Sequence, residues 1–215
     1  MKTMVIAVSG YSGAGKSTVV SQLSRAFNCS ALFFDDYASR EDFPSDISAW
    51  IKEGGDPNEI STPLFHHHLL QLINGDFIEL VKGNGWAKEY GINQSDKEIK
   101  IVMPSPLLII EEPFGRERQE IKELIDFVVY LEIEPEIALG RRIHELIQYL
   151  RNDSEVLINL LDHFLFDYLN RGVKDMYAEI GKKVKANSDL VINANRNVEE
   201  IVSEISELIR KKRGF

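Results

Sequence analysis

The chain has 215 residues, of which 44% are hydrophobic and 27% charged, so it can bury one core and is neither largely disordered nor collagen-like. Its 34 acidic and 25 basic side chains give a formal charge of −9, which disfavours nucleic-acid binding because neutralising phosphates needs a positive surface. The single cysteine excludes an internal disulfide, and the apolar stretch at 5–8 is too short for a signal peptide or a membrane span. We therefore expect a cytoplasmic protein that contacts no membrane.

Short apolar runs alternate along the chain with segments of helical spacing. Strands are predicted at 4–9, 30–34, 99–103, 107–110, 127–133 and 189–193, and helices at 18–27, 47–52, 63–74, 118–125, 135–150, 153–180 and 198–210. The polar segment 76–97 is rich in Gly and Asn and predicts a loop, with a short hairpin as the alternative. Strands that alternate with helices indicate one α/β domain over residues 1–215, with a mostly parallel sheet covered on both faces.

The strongest motif lies between the first predicted strand and the first predicted helix. Residues 10–18 read GYSGAGKST and match G-x-x-x-x-G-K-[ST], the phosphate-binding P-loop. Glycines let the backbone N–H groups approach phosphates closely at the positive end of the helix. Lys16 would contact the β- and γ-phosphates, and the Ser17 hydroxyl would ligate Mg²⁺. We therefore predict ATP and Mg²⁺ as cofactors, bound by Gly10, Ser12, Gly13, Ala14, Gly15, Lys16, Ser17 and Thr18.

With Asn28-Cys29-Ser30 and the strand ending in Asp35-Asp36-Tyr37, the P-loop resembles the nicotinamide riboside kinases and, more broadly, the uridine kinase and phosphoribulokinase group. The resemblance returns at 108–111 and at 137–143. It implies a P-loop NTPase fold, three-layer α/β/α with a helical lid, a substrate region at about 38–98 and a lid at about 141–172. It also implies phosphoryl transfer from ATP to a hydroxyl of a small, nucleoside-like metabolite. We expect a monomer or a homodimer.

Acidic residues follow two predicted strands, and a kinase that acts on a hydroxyl needs a carboxylate to orient it and take its proton. The resemblance places this base at Asp36, with Asp35 helping through Mg²⁺-bound water; the alternative is that both cap the next segment. It favours Glu111 for Mg²⁺-bound water or a substrate hydroxyl. Glu112 is the alternative, in a position where the family usually has glycine. Tyr37, beside the presumed base, is expected to contact substrate, or else to pack in the core.

Two arginines and one asparagine complete the predicted site. The resemblance places Arg141 and Arg142 where the lid closes on the nucleotide, and a guanidinium there would stabilise the charge of the transferred group. The alternative is a solvated helix charge, with Arg141 paired to Glu145. Asn195 lies in the loop that the resemblance places against the adenine base; a turn and helix cap would choose the same residue.

Other classes of P-loop protein fit the sequence less well. A GTPase would need an N-K-x-D base-reading motif and a D-x-x-G switch, and the sequence has no N-K-x-D and no D-x-x-G where it belongs. The remaining alternative is a nucleotide-binding regulatory or partner-binding protein without small-molecule kinase activity. Intact Lys16, Ser17, Asp36 and Glu111 argue against it.

Overall fold

The structure is a computed structural model that describes residues 2–81 and 99–213. The central sheet has the strand order β2-β5-β1-β6-β7, and every neighbouring pair is parallel. Its strands are β1 Met4–Gly10, β2 Ser30–Phe33, β5 Leu107–Glu111, β6 Phe127–Glu132 and β7 Leu190–Asn193; β3 Ile78–Val81 and β4 Ile99–Val102 form a separate antiparallel pair. Because all five central strands run the same way, their carboxyl ends meet at one edge.

The helices begin with residues that suit a helix start. Pro63 and Pro135 stand at the first positions of two helices, while the side chains of Asp46 and Asp153 accept hydrogen bonds from backbone N–H groups in the first turns of two others. The helices are α1 Lys16–Phe27, α2 Ile47–Lys52, α3 Pro63–Asn74, α4 Gln119–Lys122, α5 Pro135–Leu150, α6 Ser154–Asn170, α7 Val173–Ala186 and α8 Val198–Arg213.

Apolar side chains fill both faces of the central sheet. On β1, Ile6 and Val8 pack toward α1 and α8, whereas Val5 and Ala7 pack toward α3 and the β3–β4 pair. The alternation follows from the two-residue period of a strand. The three-layer α/β/α fold of a P-loop NTPase is therefore confirmed. The helices α5 and α6, which contain most of the predicted lid at about 141–172, share a small buried cluster.

Two predicted elements differ from the structure. The helix predicted at 153–180 is broken at Gly172, whose φ is +81°, and α7 then continues to Ala186. A Cβ at this glycine would lie 2.7 Å from Ser48 Oγ, so the chain turns tightly against α2 there. The segment predicted as a loop contains β3, which pairs with β4, and its remainder at 82–97 lies outside the described residues. Within the two described ranges, no helix combines the length and apolar content that crossing a bilayer requires.

Candidate active site

The P-loop connects β1 to α1 at the carboxyl edge of the sheet. Gly13 has a φ of +85°, and a Cβ there would lie 2.1 Å from the Ala138 carbonyl oxygen, because the first turn of α5 lies against the loop. Lys16 is buried, and its Nζ donates to the Tyr11 carbonyl at 3.0 Å and lies 3.7 Å from Glu111 Oε1. The loop therefore holds its lysine beside a carboxylate from the neighbouring strand.

Glu111 is the last residue of β5, and its side chain is almost wholly buried. Burial raises the pKa of this carboxyl to about 7, although the Lys16 charge and the Ser17 hydroxyl both lower it. Lys16, Ser17 and Glu111 thus interact with one another beside the P-loop, and the charge of Asp35 acts on the same carboxyl.

The oxygen donors at this point suit Mg²⁺, a hard cation that keeps several waters and usually binds with substrate phosphates. Ser17 and Glu111 are hydrogen-bonded neighbours beside the P-loop, and a cation there would favour the ionised carboxylate. Among the described residues no group of three or more His, Cys, Asp or Glu side chains could hold a metal alone. The donor set therefore fits a cation shared with a nucleotide and not an all-protein metal cage.

Glu112 points into the protein. Its carboxylate accepts from Arg118 Nη2 at 2.7 Å and from the Phe114 backbone N–H at 3.1 Å, and both Glu112 and Arg118 are buried. Of the two adjacent acids that the sequence left open, Glu111 is the one beside the P-loop.

The acids after β2 lie on a short turn and not on the strand. Phe34–Asp36 forms one turn of 3₁₀ helix, so the alternation of a strand does not decide where Asp35 and Asp36 point. Asp35 is exposed and lines two adjoining cavities beside the P-loop, whereas Asp36 is not among the described residues that line either one. The geometry therefore favours Asp35 over Asp36 as the carboxylate that faces an acceptor.

Tyr37 packs away from both cavities. Its ring lies 5.1 Å from that of Phe65, and its hydroxyl is 3.0 Å from His68 Nδ1. Burial, and then the charge of Asp36, raise the pKa of Tyr37 well above its usual value. Of the two interpretations of Tyr37, the structure favours packing in the core.

The two cavities have volumes of about 120 and 250 Å³ and share part of their walls, so together they have the size of a small-molecule site. The first lies between the P-loop, the ends of the strands and α7, and the second extends from it toward the lid. Their shared wall consists of Ser12, Phe34, Asp35, Phe43, Met176 and Tyr177.

The sequence did not reveal the aromatic residues that tie the P-loop to α7. The centroid of the Tyr11 ring lies 5.9 Å from that of the Tyr177 ring. The Tyr11 hydroxyl is hydrogen-bonded to the Tyr130 hydroxyl, and the Ser12 side chain is hydrogen-bonded to the Tyr177 hydroxyl. Tyr11 stands at a variable position of the motif, and nothing in the local pattern indicates that α7 would reach this edge.

The two predicted lid arginines point to different places. Arg142 lines the second cavity and donates to Glu145 at 2.8 Å, so the pair with Glu145 involves Arg142 and not Arg141. Arg141 donates to the Ala194 carbonyl at 3.0 Å, and the Asn195 amide donates to Glu134. Arg141 and Asn195 therefore lie together at the loop after β7, while Arg142 lies at the second cavity.

Comparisons with known proteins relate the chain to one family of kinases. The family model described as "Phosphoribulokinase / Uridine kinase family" matches residues 5–158. A uridine kinase from Clostridium perfringens is 25% identical over 217 residues, covering 98% of each chain. A uridine kinase from Clostridium tetani is 25% identical over 218 residues, again covering 98% of each. The solved structure of a possible uridine kinase from Bacillus stearothermophilus superposes with a TM-score of 0.52 at 20% identity, covering 90% of each chain, which supports the fold.

Proposed function

The chain belongs to the phosphoribulokinase / uridine kinase family of small-molecule kinases, and from that premise we propose that it transfers the terminal phosphoryl group of ATP to a hydroxyl of a nucleoside-like metabolite. The observation that carries the proposal is a single cavity whose lining includes Lys16 and Ser12 of the P-loop, Asp35 and several aromatic side chains. A nucleotide on one side of the loop and an acceptor on the other would then meet at Lys16.

The P-loop residues carry the nucleotide side of the proposal. The backbone N–H groups of the loop and the N-terminus of α1 would hold the phosphates, and Lys16 would neutralise charge on the transferred group. Ser17 and Glu111 are placed to hold Mg²⁺, which would supply further charge stabilisation to the phosphates. Arg142 would face the transferred group, and Arg141 and Asn195 the base.

Asp35 is our candidate for the base that orients the acceptor hydroxyl and takes its proton. It lines the same cavity as Lys16, which is where a hydroxyl must lie to attack the terminal phosphorus. This proposal replaces the sequence-based prediction of Asp36 as the base, and Tyr37 is no longer proposed as a substrate contact.

The cavity walls favour a planar ring as part of the acceptor. Phe34, Phe43 and Tyr177 present aromatic rings, and Met176 adds an adaptable apolar contact. The same cavity also has polar lining residues, among them Ser39, Arg40 and Asp167, which can pair the hydroxyls of a sugar moiety. A nucleoside offers a ring for the aromatic wall and a ribose hydroxyl for Asp35.

The experiment is an ADP-release assay with ATP, Mg²⁺ and a panel of nucleosides, nicotinamide riboside, vitamins and sugars. We expect turnover with a nucleoside-like compound, and a fall in kcat of about 10²- to 10⁴-fold for Asp35→Asn because a general base is lost. Asp36→Asn is the matched control on the adjacent residue, and its kcat should stay within a few-fold of wild type.

The outcomes separate the two parts of the proposal. Turnover of sugars alone would contradict the acceptor class and leave the kinase chemistry in place. An Asp35→Asn enzyme as active as wild type, with the loss appearing in Asp36→Asn, would return the base to Asp36.

A further inference from the structure

A buried guanidinium lies beneath the aromatic wall of the cavity. Arg118 is 1% exposed, and its Nη2 donates to Glu112 at 2.7 Å while its Nη1 donates to Thr62 Oγ1 at 2.6 Å and to Glu120 at 3.0 Å. Its Nε has no hydrogen-bond partner among the described residues. The ion pairs with Glu112 and Glu120 and the bond to Thr62 satisfy the terminal nitrogens but not Nε, so the position of this group needs a further reason besides these pairs.

The aromatic rings around the guanidinium suggest that reason. The Arg118 Cζ atom lies 5.3 Å from the centroid of the Phe34 ring and 5.9 Å from those of Phe65 and Phe114. The Phe34 ring also makes edge contacts with Phe114 at 5.6 Å and Phe43 at 6.4 Å. Phe34 is thus held both by neighbouring rings and by the Arg118 guanidinium.

Phe34 directly precedes Asp35 on the single turn of 3₁₀ helix after β2. The N–H groups of Tyr37 and Ala38 donate to the Phe34 carbonyl at 2.9 and 3.0 Å, so the whole turn is built on this residue. A turn of three residues has little stability of its own. The direction of the Asp35 side chain therefore depends on how firmly the Phe34 ring is held.

We propose that Arg118 is a positioning residue, which fixes the Phe34 ring and thereby aims Asp35 at the Lys16 side of the cavity. The inference rests on the proposed function in one respect, the role of Asp35 as the base. Glu112 anchors the guanidinium from the other side, so a buried charged pair lies beneath the wall of the proposed acceptor site.

A positioning role can be separated from a structural one because both charges can be removed together. Replacing a buried pair by uncharged residues is often neutral for stability, whereas removing one partner is not. Glu112→Gln with Arg118→Met keeps an acceptor for the Phe114 N–H and fills the guanidinium space. The matched control is Arg116→Met with Asp189→Asn, which removes an ion pair of 2.8 Å at the opposite edge of the sheet.

We expect the double variant Glu112→Gln, Arg118→Met to lower kcat about 10- to 100-fold, because small displacements of catalytic groups cost rates of this size. Its KM for ATP should stay within about threefold of the wild-type value. Hydrogen exchange of the Tyr37 and Ala38 amides, measured without any substrate, should quicken at least about tenfold more than exchange in β1. The control pair should change neither quantity.

Unchanged kcat, or unchanged exchange at Tyr37 and Ala38, would overturn the proposal, because Arg118 would then only stabilise the fold. If wild type turns over no nucleoside, the proposed acceptor class fails, and the exchange measurement still decides the positioning role. If the double variant does not fold, Arg118→Lys replaces it, because lysine keeps the charge but loses the planar guanidinium, and the same two readouts apply.

Discussion

Two opposing effects act on the ionisation of the Glu111 carboxyl group. A carboxyl group that is almost wholly buried prefers to be neutral, while Lys16 at 3.7 Å favours the ionised form. Burial is the larger effect, so the pKa is raised to about 7. The ionised form of Glu111 is therefore disfavoured in the protein when no cation is bound.

This balance predicts a pH dependence of stability. Below pH 4.5 the carboxyl is protonated in both the folded and the unfolded chain, and between about 4.5 and 7 the folded state holds the extra proton. Stability must therefore fall as the pH rises through this window. Glu111→Gln removes this pH dependence. The difference in free energy of unfolding between the variant and wild type should therefore be about 2 kcal/mol more favourable to the variant at pH 8 than at pH 5. Urea denaturation without nucleotide measures this difference.

Glu123→Gln is the control, because the side chain of Glu123 is 86% exposed. It should shift the free energy of unfolding equally at both pH values. An equal shift for Glu111→Gln would mean that the Glu111 pKa is not raised in the folded chain.

At the scale of elements, two helical glycines have opposite surroundings. A Cβ at Gly181 of α7 would lie 2.4 Å from the Tyr11 ring and 2.8 Å from the Tyr130 hydroxyl, whereas a Cβ at Gly140 of α5 would meet nothing within 4 Å. Only the first glycine is required for packing, since it lets α7 lie directly against a P-loop side chain.

Alanine at these two positions should therefore act in opposite directions. Gly140→Ala should stabilise the protein by roughly 0.5–1 kcal/mol, the usual helix preference of alanine over glycine. Gly181→Ala should destabilise it by about 1–3 kcal/mol and raise the KM for ATP, because the Tyr11 ring must move. Chemical denaturation and steady-state kinetics measure both. A stabilising Gly181→Ala would show that Tyr11 moves without cost.

The elements that the sequence predicted well are those with a strong local pattern. The strands that end in the P-loop and in Glu111 are continuous apolar runs, and Pro63 and Pro135 mark helix starts, so the structure has these elements within a few residues of their predicted bounds. The break at Gly172 escaped prediction because the apolar spacing continues through it, and only contact with Ser48 explains the turn.

The candidate site could be predicted only in part for a similar reason. Lys16 and Ser17 are predicted from the P-loop motif, and Glu111 from its place at the end of an apolar strand and from the family resemblance. Asp35 and Asp36, in contrast, cannot be distinguished without the turn on which they lie. Tyr177 and Met176 reach the site because α7 packs across the sheet edge, and such tertiary contacts leave no mark in the local sequence.

At the scale of the whole molecule, the described residues form buried apolar clusters of very different size. Both faces of the central sheet pack large buried clusters. The α5–α6 pair has a small cluster of three buried leucines, Leu146, Leu150 and Leu160, with four partly buried apolar side chains packed against it. Regions with few buried apolar side chains open at lower free energy than the global unfolding.

We therefore expect the lid to open independently of the sheet. Native-state hydrogen exchange should give α6 amides an opening free energy several kcal/mol below that of β1 amides, which exchange only on global unfolding. Equal opening free energies for α6 and β1 would show that lid and sheet unfold as one unit.

Tyr11 gives the molecule a further property. Its carbonyl accepts a hydrogen bond from Lys16, and the same residue lines the first cavity. Under the proposed function, a substitution at Tyr11 should therefore change the KM for ATP and the KM for the acceptor together.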